Sequence, residues 1–245
     1  MTPGSRGFVD HFPSTHDTWI GDQLQVLAAG SEADAREAAL QLRTHIMARY
    51  REPLLAYAGA SSFRSLSSPE DLVHGFFAER LTDLAYLRNW RESRMKLRRW
   101  LCNGLLLHMF DLAQRRRRDA RAVDLAGKRA QQQQRVDEPA ADLAFERAWA
   151  RGVIERAAEA TETALRVEGR HDAWRLFTRH VVDGLTQVAA GAEAGLAEGE
   201  TKARIRLAVR RLRDAVAAEL VADGVPPTEV QAETDAIVSV FGQGA

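Results

Sequence analysis

Arginine is the residue type with which this chain could do chemistry. Residues 97–118 read LRRWLCNGLLLHMFDLAQRRRR, an apolar helical pattern that opens on Arg98 and Arg99 beside Trp100 and closes on Arg115, Arg116, Arg117 and Arg118. Cations at a helix C-terminus compensate the macrodipole, each contributing about 0.3–1 kcal/mol within the last turn. One or two would satisfy that need. Four in a row cover every direction around an axis that turns every 3.6 residues, so several must point away from any acidic neighbour. A guanidinium brings charge and a stacking face together, which is what a single nucleic-acid strand and its phosphates require.

The chain balances 34 basic against 34 acidic residues, so any charge bias is local. Between Arg88 and Arg121 the only acids are Glu92, Asp111 and Asp119, which leaves a basic stripe of the kind nucleic acid selects. A second cluster comprises Lys202, Arg204, Arg206, Arg210, Arg211 and Arg213, with Ile205, Leu207, Val209 and Leu212 for packing and no acid between Glu200 and Asp214. A merely solvated helix would alternate its charges for i,i+4 support. This spacing predicts a helix that can lie in a major groove, where arginine pairs with guanine. Two tryptophans lie in range of the first stripe. Trp100 falls in line with Leu97, Leu101 and Leu105, which predicts a core position, whereas Trp90, between Arg88 and Arg91, reads equally as core or as a platform for a base.

Catalysis finds little to stand on. His11, His16, His45, His74, His108, His171 and His180 form no HExxH or paired-ligand spacing, and no Gly-rich phosphate loop or nucleophile elbow occurs. No catalytic residue, metal or cofactor is expected. Cys102 stands alone inside an apolar helix, which excludes a disulfide within the chain and fits a reducing cytoplasm. No stretch approaches the roughly eighteen apolar residues of a membrane span, and MTPGSRGFVDHF has no signal-peptide core. A cytoplasmic chain without a membrane partner is the expectation.

The elements that must position these arginines are helices. Ala, Leu, Arg and Glu dominate, only seven prolines occur, and no run alternates apolar with polar, so the fold class is all-α. The clearest boundary is residues 122–141, where Gly127, a run of glutamines and Pro139 read as a flexible linker between two small helical domains, 33–121 and 142–245, with 1–32 as an N-terminal extension. Helices are predicted over roughly 33–51, 54–60, 69–81, 82–91 and 96–118, with Pro53 breaking or kinking the first pair. Roughly 142–168, 171–184, 186–194, 201–222 and 228–240 follow, the last started by Pro226, Pro227 and Thr228. In SSPEDLVHGFFAERL, residues 67–81, Ser68 is a natural N-cap and Pro69 suits the first helical position. Leu72, Phe76, Phe77 and Leu81 recur at helical steps as one apolar face, leaving Asp71, His74 and Glu79 on the other.

That segment, with its flanks, resembles the second conserved region of sigma-70 family RNA polymerase sigma factors of the compact extracytoplasmic-function (ECF) class, where the pattern Glu/Asp-Asp-Leu-Val/Thr-Gln-x-Phe-Phe forms the helix that docks on the polymerase clamp. HFPSTHDTWI at 11–20 is similar to the Phe-Pro-x-Thr-x-x-x-Trp opening of one ECF subgroup, and RYREPLLAYA at 49–58 to its Tyr-x-x-Pro-Leu-x-x-Tyr helix. The 97–118 stretch resembles the helix that reads the upstream edge of the melted promoter, so the likeness covers residues 11–121. Further on, FERAWARGVIERA at 145–157 and IRLAVRRLRDAV at 205–216 resemble the start and the recognition helix of the fourth region. The chain departs from the family pattern in three places. GLAEGETKARIRLAV is longer than the compact helix-turn-helix with its Gly-Leu-Ser, Leu107 stands where Asn is common, and His74 stands where Gln is expected.

The resemblance implies a sigma factor with no enzymatic activity and a helix-turn-helix variant as its C-terminal domain. Asp71, His74 and Glu79 would bind core RNA polymerase at its clamp helices, with the flap as a second contact. Arg98, Arg99 and Arg115 to Arg118 would hold the downstream promoter element, and Lys202, Arg204, Arg206, Arg210, Arg211 and Arg213 the upstream one. An anti-sigma protein is a further partner that the resemblance allows. The rival is a one-component helical repressor with a ligand-binding domain and a DNA-binding domain. Such proteins usually carry their helix-turn-helix near the N-terminus, and residues 1–50 offer no turn glycine followed by a basic helix. A helical adaptor with no nucleic-acid role is disfavoured by the two separated arginine clusters.

Overall fold

Residues rich in helix formers and poor in proline give helices throughout. A computed structural model describes residues 19–93, 95–123 and 138–242. Within them the α-helices are α1 Trp19–Ala29, α2 Glu32–Ala60, α3 Pro69–Phe76, α4 Leu84–Ser93, α5 Leu97–Val123, α6 Pro139–Val167, α7 His171–Val181, α8 Gln187–Glu193, α9 Glu198–Ala222 and α10 Pro227–Gly242, and the described residues form no strand. The all-α expectation holds.

Side-chain caps set several starts. Ser31 and Asp34 form a reciprocal capping box at α2, Ser68 Oγ accepts from the Asp71 amide at 3.1 Å with Pro69 in the first turn of α3, and Thr186 Oγ1 accepts from the Ala189 amide at the head of α8. The segment Phe77–Leu81 continues α3 as a π-helical turn. Its wider i→i+5 pitch turns Glu79 away from the position an α-helix would give it.

Three boundaries differ from expectation. Pro53 does not end its helix: α2 runs through it for 29 residues. An interior proline costs about 3 kcal/mol, and the burial of Tyr50, Pro53, Leu54 and Tyr57 around it outweighs this, at about 1.5–3 kcal/mol for each large apolar side chain. Within the segment expected as an extension, α1 buries Ile20, Leu24 and Leu27 against α2. Of the expected linker, residues 124–137 lie outside the described residues, as do residues 1–18; at the linker's edges α5 reaches Val123 and α6 begins at Pro139.

The main core is continuous across the two halves of the chain. Its centre is α2, whose Ile46, Tyr50, Leu54 and Tyr57 meet Leu72 and Phe76 of α3 and Leu101 and Leu105 of α5. The same cluster takes in Phe145, Trp149, Val153 and Ala157 of α6, Val216 and Leu220 of α9, and Ile237 of α10. The Tyr50 and Phe145 rings stack across this seam with centroids 6.5 Å apart. A satellite unit lies apart from that core. Leu165 at the end of α6, Ala173 and Phe177 of α7 and Ala208 of α9 form one small cluster, and Leu176, Ala190 and Ile205 form another that joins α7, α8 and α9. The division drawn by packing thus falls within the C-terminal half, because the first half of α9 belongs to the satellite and its second half to the main core.

Candidate nucleic-acid interface

The satellite is built for close approach. At Gly195 the chain adopts φ 67°, a left-handed conformation that glycine takes without strain, and this reverses it between α8 and α9. At Gly191 an added Cβ would lie 2.3 Å from Thr201 Oγ1, so only glycine lets α8 rest on the start of α9. Thr201 is fully buried there, its hydroxyl donating to the Ala197 carbonyl at 3.0 Å. The result is helix, short glycine turn, helix, with α7 packed across both.

The basic residues of α9 divide by what they meet. Lys202 pairs with Glu198 one turn back, Arg204 with Asp172 of α7, Arg211 with Glu168 at 2.8 Å, and Arg213 with Asp235 of α10. For Arg204, Arg211 and Arg213 the acids missing from that stretch of α9 come from outside it, which pattern reading along α9 does not reveal. Arg206 reaches only the Lys202 carbonyl, and Arg210 has no hydrogen-bond or ion-pair partner among the described residues. Both are exposed, and four residues apart they share one face of α9.

The α5 arginines divide in the same way. At the C-terminal end Arg115 pairs with Glu79 at 3.5 Å and Arg116 donates to the Leu66 carbonyl, while Arg117 and Arg118 stand exposed without such a partner among the described residues. At the N-terminal end both arginines turn to the other half of the chain. Arg99 pairs with Asp142 of α6 at 3.0 Å. Arg98, its side chain 14% exposed, lies over the Trp149 ring at 4.4 Å and pairs with Glu146 at 3.3 Å and Glu233 at 2.9 Å. Burial presses its guanidinium toward neutrality, but Glu233 and Glu146 outweigh this and hold it above the ordinary arginine range.

Among the residues expected to dock on polymerase, Asp71 and His74 sit exposed on one side of α3, with Asp71 accepting from Ser67 Oγ at 3.1 Å. Glu79 is engaged elsewhere. Its carboxylate lies 3.2 Å from His108 Nδ1 as well as against Arg115, so a residue expected to face polymerase and one expected to face DNA meet each other. Of the two tryptophans, Trp90 is buried, with Nε1 donating to the Met95 carbonyl at 2.7 Å, and Trp100 is half-buried against the core beside Tyr86.

Sequence reasoning missed the charge cluster that joins the halves. Arg49 of α2 donates through Nε to Asp223 and through Nη2 to the Glu219 carboxylate, Arg156 shares Glu219 at 2.7 Å, and Trp149 Nε1 donates to Asp223 at 2.8 Å. His45 Nε2 lies 2.9 Å from the Ala222 carbonyl, which can only accept, so that nitrogen carries the proton. Lys96 reaches both Glu229 and Glu233 at 2.6 Å. Burial opposes the charge on Glu233, yet Arg98 and Lys96 hold its carboxyl below the ordinary carboxylate range. A partial signal was present: acids recur four apart as Asp142 and Glu146, Glu219 and Asp223, and Glu229 and Glu233, but Glu155 and Glu159 on α6 share that spacing without an ion-pair partner among the described residues, so spacing alone does not pick out the cluster. Among the described residues no group of three His, Cys, Asp or Glu is placed to hold a metal ion, and no helix is long and apolar enough to cross a membrane.

Compared with models of protein families, with curated proteins and with solved structures, the chain matches none.

Proposed function

We propose that this chain is an RNA polymerase sigma factor of the ECF type, which gives core polymerase its promoter preference and carries no enzymatic activity of its own. The observation that carries the reading is the α7–α8–α9 unit: a small-cored helix, glycine turn and helix that presents Arg206 and Arg210 together on an exposed face. In this reading α8 and α9 form the helix-turn-helix variant, and Arg206 and Arg210 are the pair that reaches base edges of the upstream element. The region from α2 to α5 supplies the second contact. Asp71 and His74 of α3 face the polymerase clamp, and Arg117 and Arg118 take phosphates near the downstream element. The motif resemblance over residues 11–121 selects polymerase as the partner.

The test is to mix purified chain with core RNA polymerase and follow both by gel filtration, then to measure promoter binding of the complex with Arg206→Ala and Arg210→Ala. Co-elution is expected, with each substitution costing about 1–3 kcal/mol on the preferred upstream sequence and little on others. Equal loss on every sequence would reduce the pair to phosphate contacts. The continuous core favours one alternative, a DNA-binding repressor that acts as a single body. A stable symmetric dimer that binds DNA and ignores polymerase is its signature.

A further inference from the structure

Arg64, on the loop between α2 and α3, belongs to neither basic cluster of the sequence. The path of that loop is fixed along α5. Ser61 is fully buried, its hydroxyl donating to the Ala58 carbonyl at 2.9 Å and accepting from the Phe63 amide at 3.3 Å, with Met109 Sδ 3.8 Å away. The Phe63 ring meets Phe110 edge-on, centroids 6.5 Å apart, and the Leu66 carbonyl accepts from Arg116. From the other side Glu138, at the head of α6, accepts from the Ser62 hydroxyl and, at 3.2 Å, from its amide. Met109 with Arg116, and Phe110 with Arg117, are seven residues apart, so each pair lies along one row of the α5 surface. The loop therefore climbs these two rows, and its tip, Arg64 with Ser65, emerges beside the row that ends in Arg117.

Arg64 and Arg117 are exposed, as is Ser65, and none of their side chains has a hydrogen-bond or ion-pair partner among the described residues. Four nearby carboxylates are already committed: Glu138 to Ser62, Asp71 to Ser67, Glu79 to His108 and Arg115, and Asp111 to Arg80. None of the exposed large apolar side chains among the described residues belongs to the loop or to residues 108–118 of α5. Guanidinium charge and a hydroxyl, with no apolar or aromatic face between them, suit a phosphate and give a base nothing to stack on.

We propose that the α2–α3 loop is an element of the DNA interface, in which Arg64 and the Ser65 hydroxyl join Arg117 to hold backbone phosphates without reading sequence. This deepens the sigma-factor reading and rests on it for promoter DNA as the occupant. Each arginine takes its own phosphate, so their effects add. Arg116 is a positioning residue, since its guanidinium is spent on the Leu66 carbonyl and fastens the loop to α5.

The salt dependence of DNA binding tests this, read by fluorescence anisotropy of a fluorescein-labelled duplex with the chain on core polymerase and with the free chain. Arg64→Gln and Arg117→Gln should each lower the log–log slope by about 0.7–0.9, and the double variant by about 1.4–1.8. The loss should be equal on unrelated sequences, and Arg64→Lys should keep the slope, because counterion release counts charges. Arg151→Gln, exposed on α6 about 20 Å along that helix from Glu138, should change nothing. An unchanged slope for Arg64→Gln in a chain that binds polymerase overturns the site and leaves the sigma-factor reading standing. A chain that ignores polymerase yet shows these slope changes alone removes that reading and keeps the site. A loss confined to one sequence overturns the proposal, as does DNA binding by neither form. Arg64-dependent binding to phosphatidylglycerol vesicles, with no Arg64 effect on DNA, overturns it in favour of a membrane surface.

Discussion

Arg49→Met tests whether the two halves form one cooperative body. The Arg49 side chain is 11% exposed and lies against Asp223, 1% exposed, and Glu219, 20% exposed; Nη2 also donates to the Glu219 carbonyl at 3.1 Å. Methionine preserves much of the stem's packing and deletes the charge. Removing one partner of a buried ion pair costs about 3–5 kcal/mol because the other is left uncompensated. Arg156 still holds Glu219 and Trp149 still donates to Asp223, so the lower end, about 3 kcal/mol, applies. At about 2–4 °C per kcal/mol for a chain of this size, Tm should fall by about 6–12 °C. Adding Asp223→Asn removes the stranded charge, so the double variant should lose at least about 1 kcal/mol less than the sum of the singles. Differential scanning calorimetry with denaturant titration reads all of this, and each protein should unfold in one transition. A loss below about 1 kcal/mol, or two transitions of which only one moves, refutes the reasoning.

Gly191→Ala should cost about 1–3 kcal/mol, since its Cβ would meet the buried Thr201 hydroxyl, and promoter affinity should fall with polymerase affinity unchanged; unaltered stability would show that α8 shifts freely on α9. Arg117→Gln with Arg118→Gln should lower the salt slope of promoter binding by the polymerase complex by about 1.4–1.8 units, while the same change at Arg115 and Arg116, already engaged by Glu79 and the Leu66 carbonyl, should lower it less. Burial, then the Arg49 charge, holds His45 below its ordinary value of 6.5, so the folded chain binds fewer protons there than the unfolded chain. Its contribution to stability is complete above about pH 6.5 and is lost as pH falls below that, and His45→Gln should flatten the dependence of Tm on pH between about pH 7 and pH 5.

The fold class and most helix starts were legible because they are local. Ser68 with Pro69, and Pro226 with Pro227, announce helices whatever surrounds them. Pro53 misleads for the opposite reason, as its local cost is overridden by burial that depends on α3, α5 and α6. The basic clusters were legible as composition, but not the fate of each arginine. Asp172, Glu168 and Asp235 come to α9 from other elements, and Glu146 and Glu233 reach Arg98 from 48 and 135 residues away. A charge excess counted along the chain therefore overstates the cations free to bind. What remains exposed and without such partners among the described residues is Arg117 and Arg118 on α5 and Arg210 on α9, joined by Arg206, whose single hydrogen bond goes to its own helix.

The central claim is that this chain directs RNA polymerase to promoters, and run-off transcription tests it most directly. Core RNA polymerase alone and core supplied with the full chain are each given fragmented DNA from the source genome, and the transcript starts are mapped. The account predicts starts that need the chain, share an upstream sequence, and lose that preference when Arg206 and Arg210 are replaced by alanine. Transcript starts identical with and without the chain, together with no complex on gel filtration, would contradict it.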